Sequence, residues 1–190
     1  MRMEDRKHRG RVLGTINQTN VRDYLDPPLD DTIKVDVDGS SFNNPGRSDF
    51  GGILRDSNEN WLLGFSGFIG ISTSLCVELQ AILNGLKIAQ AEGFRNIIIE
   101  SDSTLADNFS CHETSQFHPY TTLIQQIRHL HQWDCNVSFQ HTLREGNERV
   151  DWLAKTGASS NDTLKILNSC PPRLSLALLV DVVGVAPPRV

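Results

Sequence analysis

Long apolar runs are missing from this 190-residue sequence. The most apolar stretch, Leu174 to Ala186, falls short of the roughly 20 residues a spanning helix needs, and Asp181 interrupts it. An apolar leader is missing as well, because charged residues occupy the N-terminus where a secretion signal would place its hydrophobic segment. These absences argue against a membrane or secreted protein. A soluble, intracellular chain is expected, with nucleus and cytoplasm indistinguishable. Paired cysteines are missing too: Cys76, Cys111, Cys135 and Cys170 are scattered and none forms a C-x-x-C pair. Ordinary reduced thiols are therefore expected, not a disulfide frame or a zinc site. The sequon Asn136-Val137-Ser138 is a chance match in a chain without a secretion signal. No serine stands in a G-x-S-x-G setting, so no nucleophile elbow is indicated, and no internal repeat is visible.

Basic charge is also scarce. There are 18 Lys/Arg against 23 Asp/Glu, a net charge of −5, whereas nucleic-acid binders commonly carry a basic stripe. Residues 1 to 11 run against this trend, with Arg2, Arg6, Lys7, Arg9 and Arg11 against Glu4 and Asp5. The rest of the chain is thus more acidic than the total. A cluster of carboxylates that binds divalent cations would account for the excess, and so would an ordinary solvated acidic surface.

What is present suffices for one globular domain with a core, since 38% of the residues are hydrophobic. Residues 1–30 lack periodicity and end in Asp26-Pro27-Pro28, which reads as a flexible basic arm and linker. From Thr32, Ile33, Val35 and Val37 alternate with Lys34, Asp36 and Asp38, the period of a strand with one apolar and one polar face. Asp36 reads as a surface acid at the strand start. Phe50 to Arg55 and Trp61 to Ile69 read as two further strands joined by short turns, giving an antiparallel meander. Leu75, Leu79, Ile82, Leu83, Leu86 and Ala89 then recur at helical spacing, with Thr73 or Ser74 as cap and Gly93 beyond the last turn. Asn96 to Glu100 reads as a buried strand after a crossover helix. Ser103 to Phe109 and Tyr120 to Trp133 read as helices, Cys135 to Gln140 as a fifth strand, and Asn147 to Ala158 as a final helix. The order predicts an α/β fold: a five-stranded mixed sheet, three antiparallel strands then two added by crossovers, with helices on both faces. The domain spans residues 31–160, and 161–190 form a C-terminal extension.

Four acids stand at informative places on that outline. Asp38 is on the polar face of the first strand, Glu78 in the first turns of the first long helix, Asp102 where the fourth strand runs out, and Asp151 at the start of the last helix. Strand ends and helix starts are where open α/β sheets place their sites. Crowded carboxylates repel, and divalent metal is the usual compensation; Mg²⁺ takes oxygen ligands, and paired ions lie roughly 3.5–4 Å apart in phosphoryl-transfer sites. Taken alone, four acids on four elements are equally well read as solvated surface. Other polar residues are less informative. His129 and His131, two apart on a helix, point in different directions. Trp61, Trp133 and Trp152 read as core or half-core residues.

The local sequences narrow the choice. "VDVDGSSFNNPG", "ELQAI", "IIIESDS" and "HTLREGNERVDWLAK" occur in that order. Together they resemble the motif set of type 1 ribonuclease H, in particular the RNase H-like domains of plant proteins derived from reverse transcriptases. The resemblance covers roughly Thr32 to Ala158, and the tail "PPRLSLALLVDVVGVAPPR" is similar to an extension found on those plant proteins. Four motifs in order, on the element types such a fold requires, are a specific signal.

The resemblance implies an RNase H-like fold and hydrolysis of the RNA strand of RNA–DNA hybrids by a two-metal mechanism, with two Mg²⁺ ions and Mn²⁺ able to substitute. It implies that Asp38, Glu78, Asp102 and Asp151 hold the ions. It also implies that His141 shuttles a proton to the leaving group, a task suited to histidine. Gly39, Ser40, Asn44 and Arg149 are the residues expected to meet nucleic acid, read by shape and 2′-hydroxyl more than by base. Arg149 could equally form a salt bridge on the helix surface. A parent polymerase domain is a plausible partner, no membrane is implied, and a monomer is expected. An alternative reading is a retroelement-derived module that binds nucleic acid with weak or no turnover. It draws on the scarcity of Lys/Arg between Asp102 and Asp151, where Arg128, Arg144 and Arg149 are the only ones.

Overall fold

The computed structural model describes residues 32–103, 119–132, 135–143, 149–155 and 162–175. The chain opens with three long strands, β1 (Thr32–Asn43), β2 (Gly46–Arg55) and β3 (Trp61–Ser72), followed by helix α1 (Ser74–Ala91) and strand β4 (Asn96–Ser101). Helix α2 (Thr121–Gln132), strand β5 (Asn136–His141), a helical segment at 149–155 and strand β6 (Lys165–Leu167) complete it. The basic arm, most of the short helix expected after Ser103, and Trp133 lie outside the described residues.

The strands form one mixed sheet in the order β5-β4-β1-β2-β3-β6. The β1-β2-β3 meander is antiparallel, while β4 runs parallel to β1 and β5 parallel to β4, as crossover connections through helices require. The expectation of five strands is corrected to six. Lys165–Leu167, placed by sequence in the C-terminal extension, pair antiparallel with Gly64–Ser66 of β3 and cover part of that edge. Three residues are too few for period-two alternation to register in the sequence.

The sheet serves two cores, because successive side chains point to opposite faces. Ile33, Val35 and Val37 of β1, with Phe50 and Leu54 of β2 and Phe65 of β3, pack under α1 and α2. On the other face Ile53 meets Val150 and Leu153 of the helical segment and Leu174, with Trp61, Trp152 and Cys170 around them. Helix α1 starts where Thr73 Oγ1 accepts from Cys76 N at 3.2 Å, so Thr73 is the cap. It stops ahead of Gly93, whose φ of 87° suits glycine. No helix among the described residues is long and apolar enough to cross a membrane.

Candidate active site

Asp38, Glu78 and Asp102 converge. Each offers one carboxylate oxygen, and these three oxygens lie within 4.8 Å of one another. The register explains the first approach: β1 and β4 are parallel neighbours with Asp36 opposite Glu100, so two residues further on Asp38 and Asp102 arrive side by side. Glu78 reaches the same point because α1 presses against β1. A Cβ added to Gly39 would lie 2.6 Å from Glu78 N and 2.8 Å from the Val77 carbonyl carbon. Only a residue without a side chain lets helix and strand close to that distance, which is the physical content of the Asp-Gly pair. Gly39→Ala should therefore push α1 away and loosen the acid group. We expect a destabilisation of about 1–3 kcal/mol in urea unfolding, together with a weaker Mg²⁺ response in isothermal titration. An alanine variant of unchanged stability and cation affinity would show that the close approach is dispensable.

Asp151 stands outside this three-acid group. It is half-exposed, and its Oδ2 lies 2.6 Å from Lys155 Nζ, one helical turn on. Its helical segment nevertheless sits against the site: a Cβ on Gly51, the register partner of Asp38, would fall 2.6 Å from Ala154 N. His141 is exposed at the end of β5 with Ser101 as its register partner, next in sequence to Asp102. Thr142 N donates to Ser101 O at 2.9 Å and ties the two strand ends together. Ser40, half-buried, shares the Asp38 face of β1. Asn44 lies in the β1–β2 turn, before a cis Asn44–Pro45 peptide, and its Oδ1 accepts from Ser74 N at 3.1 Å, joining the turn to the start of α1. Arg149 is half-buried in the helical segment.

Behind the acids lies a charge network that sequence reasoning missed. Asp36 is 5% exposed, not a surface acid, and so is Arg55. Arg55 Nε lies 2.6 Å from Asp36 Oδ2, Nη2 donates to Asp36 Oδ1 at 2.6 Å, and the same guanidinium meets Glu59 and Glu100. Lys34 closes the set, 2.8 Å from Glu59 Oε1 and 3.7 Å from Glu100 Oε1. Alternation did place Lys34, Asp36 and Asp38 on one face; it could not say that this face is covered. Burial, reinforced by the hydrogen bond and charge of Asp36, pushes the Glu100 carboxyl up to about 7 against the opposing effect of Lys34 and Arg55.

A carboxyl raised above its unfolded value of 4.5 binds its proton more tightly in the folded state. Its contribution to folding is complete below that unfolded value and is lost as pH rises through about 7. In metal-free buffer the wild type should lose stability relative to Glu100→Gln between about pH 5 and about pH 8, by on the order of 1–3 kcal/mol. Urea unfolding at several pH values checks this, and parallel pH curves for the two proteins would remove Glu100 as the cause.

The donor set of the three-acid group suits a hard divalent cation. It is all oxygen, it is anionic, and Asp38 is 7% exposed, so bulk water cannot fully screen the mutual repulsion.

Similarity to known proteins agrees with this geometry. Residues 36–157 match the model of the family described as reverse transcriptase-like. Over 186 residues the chain is 32% identical to a protein of Arabidopsis thaliana named "Putative ribonuclease H protein"; the match covers 97% of this chain and 30% of that protein. The chain thus spans less than a third of that relative's length. The RNase H1 of the archaeon Halobacterium salinarum superposes with a TM-score of 0.62 at 25% identity, covering 67% of this chain and 98% of the other. LC11-RNase H1, solved in complex with an RNA/DNA hybrid, superposes with the same TM-score at 24% identity, covering 67% and 96%. The six-stranded mixed sheet with helices on both faces is accordingly an RNase H-like fold. The family match, carried by the stretch that holds Asp38, Glu78 and Asp102, shows that this chain belongs to the reverse transcriptase-like family, as an RNase H-like domain of the plant retroelement type.

Proposed function

We propose that this chain is a Mg²⁺-dependent endonuclease that hydrolyses the RNA strand of RNA–DNA hybrids, with Mn²⁺ able to replace Mg²⁺. The observation that carries this reading is the convergence of Asp38, Glu78 and Asp102 to within 4.8 Å on a fold shared with RNase H1. Paired divalent ions held there would supply the charge that makes a water nucleophilic and stabilises the departing oxygen. Asp38 is the buried inner ligand, Glu78 and Asp102 flank it from α1 and β4, and Asp151 completes the set from the helical segment that packs on Gly51. Joining the set requires the Asp151 carboxylate to exchange Lys155 for the ion, which an exposed pair with little net stability allows. His141, exposed beside the strand end that carries Asp102, holds and delivers a proton at the leaving oxygen. Gly39, Ser40, Asn44 and Arg149 meet the nucleic-acid backbone. The domain works as a monomer, or attached to a polymerase-bearing partner.

Incubation of an end-labelled RNA–DNA hybrid with Mg²⁺, with Mn²⁺ and with EDTA tests the proposal. RNA-strand cutting that requires the metal is the expected result. A wild type that binds the hybrid and leaves its RNA intact with either ion overturns it in favour of a second reading, a binding module of weak or no turnover. That reading draws on Asp151 lying outside the three-acid group.

A further inference from the structure

The four acids are supported by two different cores. Val37 and Val77, next in sequence to Asp38 and Glu78, and Ile99, three residues before Asp102, belong to the core under α1. Asp151 depends on the other one. Val150 and Leu153, on its helical segment, are buried and pack with Ile53 of β2 and with Leu174, which is 3% exposed. Leu174 belongs neither to β2 nor to the helical segment. It lies near the end of a stretch, residues 162–175, that runs from the β3 edge to this second core. Phe68 N donates to Asp162 O at 2.8 Å, and Lys165–Leu167 then pair with Gly64–Ser66. Leu167 and Cys170 pack against the second core on the way. A turn opened by Pro171, whose carbonyl accepts from Leu174 N at 2.8 Å and from Ser175 N at 3.1 Å, carries Leu174 into it. The guanidinium of Arg173 stands 5.9 Å from the centroid of the Trp152 ring, so the residue directly after Asp151 meets the same stretch.

We propose that residues 162–175 are a strap that positions Asp151, with Leu174 and Arg173 as its points of attachment, so that the fourth acid faces the centre only while the strap is seated. This rests on the hybrid-nuclease reading for what Asp151 does; the attachment itself does not. A short helical stretch draws its stability from tertiary packing more than from its own hydrogen bonds. The sheet supplies part of that packing through Ile53 and the close approach of Ala154 to Gly51. The strap supplies the rest through Leu174, one of four buried apolar side chains in the second core, and through Arg173 on Trp152. Loss of Leu174 should therefore be felt at Val150 and Leu153, on either side of Asp151. It should not be felt at Val37, Val77 and Ile99, which belong to the first core. Leu174 and Arg173 touch no reacting atom in this account and act only through the segment that bears Asp151.

The test uses the full chain and two readouts: amide hydrogen exchange in EDTA, and cutting of a labelled RNA–DNA hybrid in Mg²⁺. In Leu174→Ala the Leu153 and Ala154 amides should exchange about 30-fold faster or more, the scale of a lost buried leucine, while those of Val35 and Leu83 keep their wild-type rates. Leu174→Met, which keeps the volume, should restore slow exchange. Arg173→Ala, at an exposed position, should give about 2–5-fold faster exchange in the same segment and melt like wild type. It keeps the test decisive if Leu174→Ala does not fold. Ile166→Ala, an exposed side chain on the same strap, should change nothing. In cutting, Leu174→Ala should lower kcat about 10-fold. The same change made in Asp151→Asn should lower it less than about 2-fold, because the group it positions is already gone. Exchange that quickens equally in α1, β1 and the helical segment overturns the strap, because Leu174 then supports the whole fold. Fully additive losses in kcat overturn it as well, and so does Arg173→Ala with wild-type exchange. A wild type that does not cut overturns the nuclease reading, and the exchange pattern still decides the strap.

Discussion

Asp38→Asn is expected to reduce metal-dependent cutting of an RNA–DNA hybrid by roughly 10³-fold or more, the scale on which loss of one transition-state-stabilising group is felt. The substitution preserves the shape of the side chain and removes one charge from the most buried member of the three-acid group. Because those carboxylates repel one another when no cation is present, the variant should fold at least as stably as wild type in EDTA. Loss of activity with retained or raised melting temperature would therefore locate the effect in cation binding. Asp151→Asn provides the comparison. Its carboxylate is half-exposed and paired with Lys155, so a graded loss of about 10–100-fold, the range typical of a supporting group around a metal, is the expected outcome. Equal losses at the two positions would mean that Asp151 is as central as Asp38. Wild-type cutting in Asp38→Asn would mean that the three acids are not the working centre.

Arg55→Ala is expected to destabilise the fold by about 3–5 kcal/mol, the range observed when one partner of a buried ion pair is removed. Arg55 faces Asp36, Glu59 and Glu100 at once and is 5% exposed. Without it, Asp36 and Glu100 would sit in register on adjacent strands with only Lys34 to offset them. The triple change Arg55→Ala, Asp36→Asn, Glu100→Gln should recover a large part of the loss, because it removes the uncompensated charges along with the cation. Urea unfolding of the single and triple variants measures both quantities. A single variant within about 0.5 kcal/mol of wild type, the behaviour of an ordinary surface site, would show the network to be inessential. The network lies two residues from Asp38 along β1 and two from Asp102 along β4, so its integrity bears on how firmly the acid centre is held.

Much of this arrangement was legible in the residues. Alternation from Ile33 to Asp38 marked β1 and put Asp36 and Asp38 on one face, and the recurrence of Leu79, Ile82, Leu83 and Leu86 marked α1. The ordered motifs assigned Asp38, Glu78, Asp102 and Asp151 to one centre; the structure brings the first three together, and Asp151 stands outside that group. Local pattern carries such information because strand and helix periods decide which side chains share a face before any tertiary contact forms.

Other features depended on what packs against each face. Asp36 read as a surface acid because period two cannot tell a solvated face from a covered one; Arg55, opposite Lys34 in register, turned out to be its buried partner. Lys165–Leu167 had too little sequence of their own to announce a strand, and the exposed edge of β3 recruited them. By itself, then, the sequence determined most of the elements, which residues share a face, and which acids to consider. The tertiary structure decided which faces are buried, how closely Gly39 lets α1 approach, and which charges meet, because these depend on pairings between residues that no local period relates.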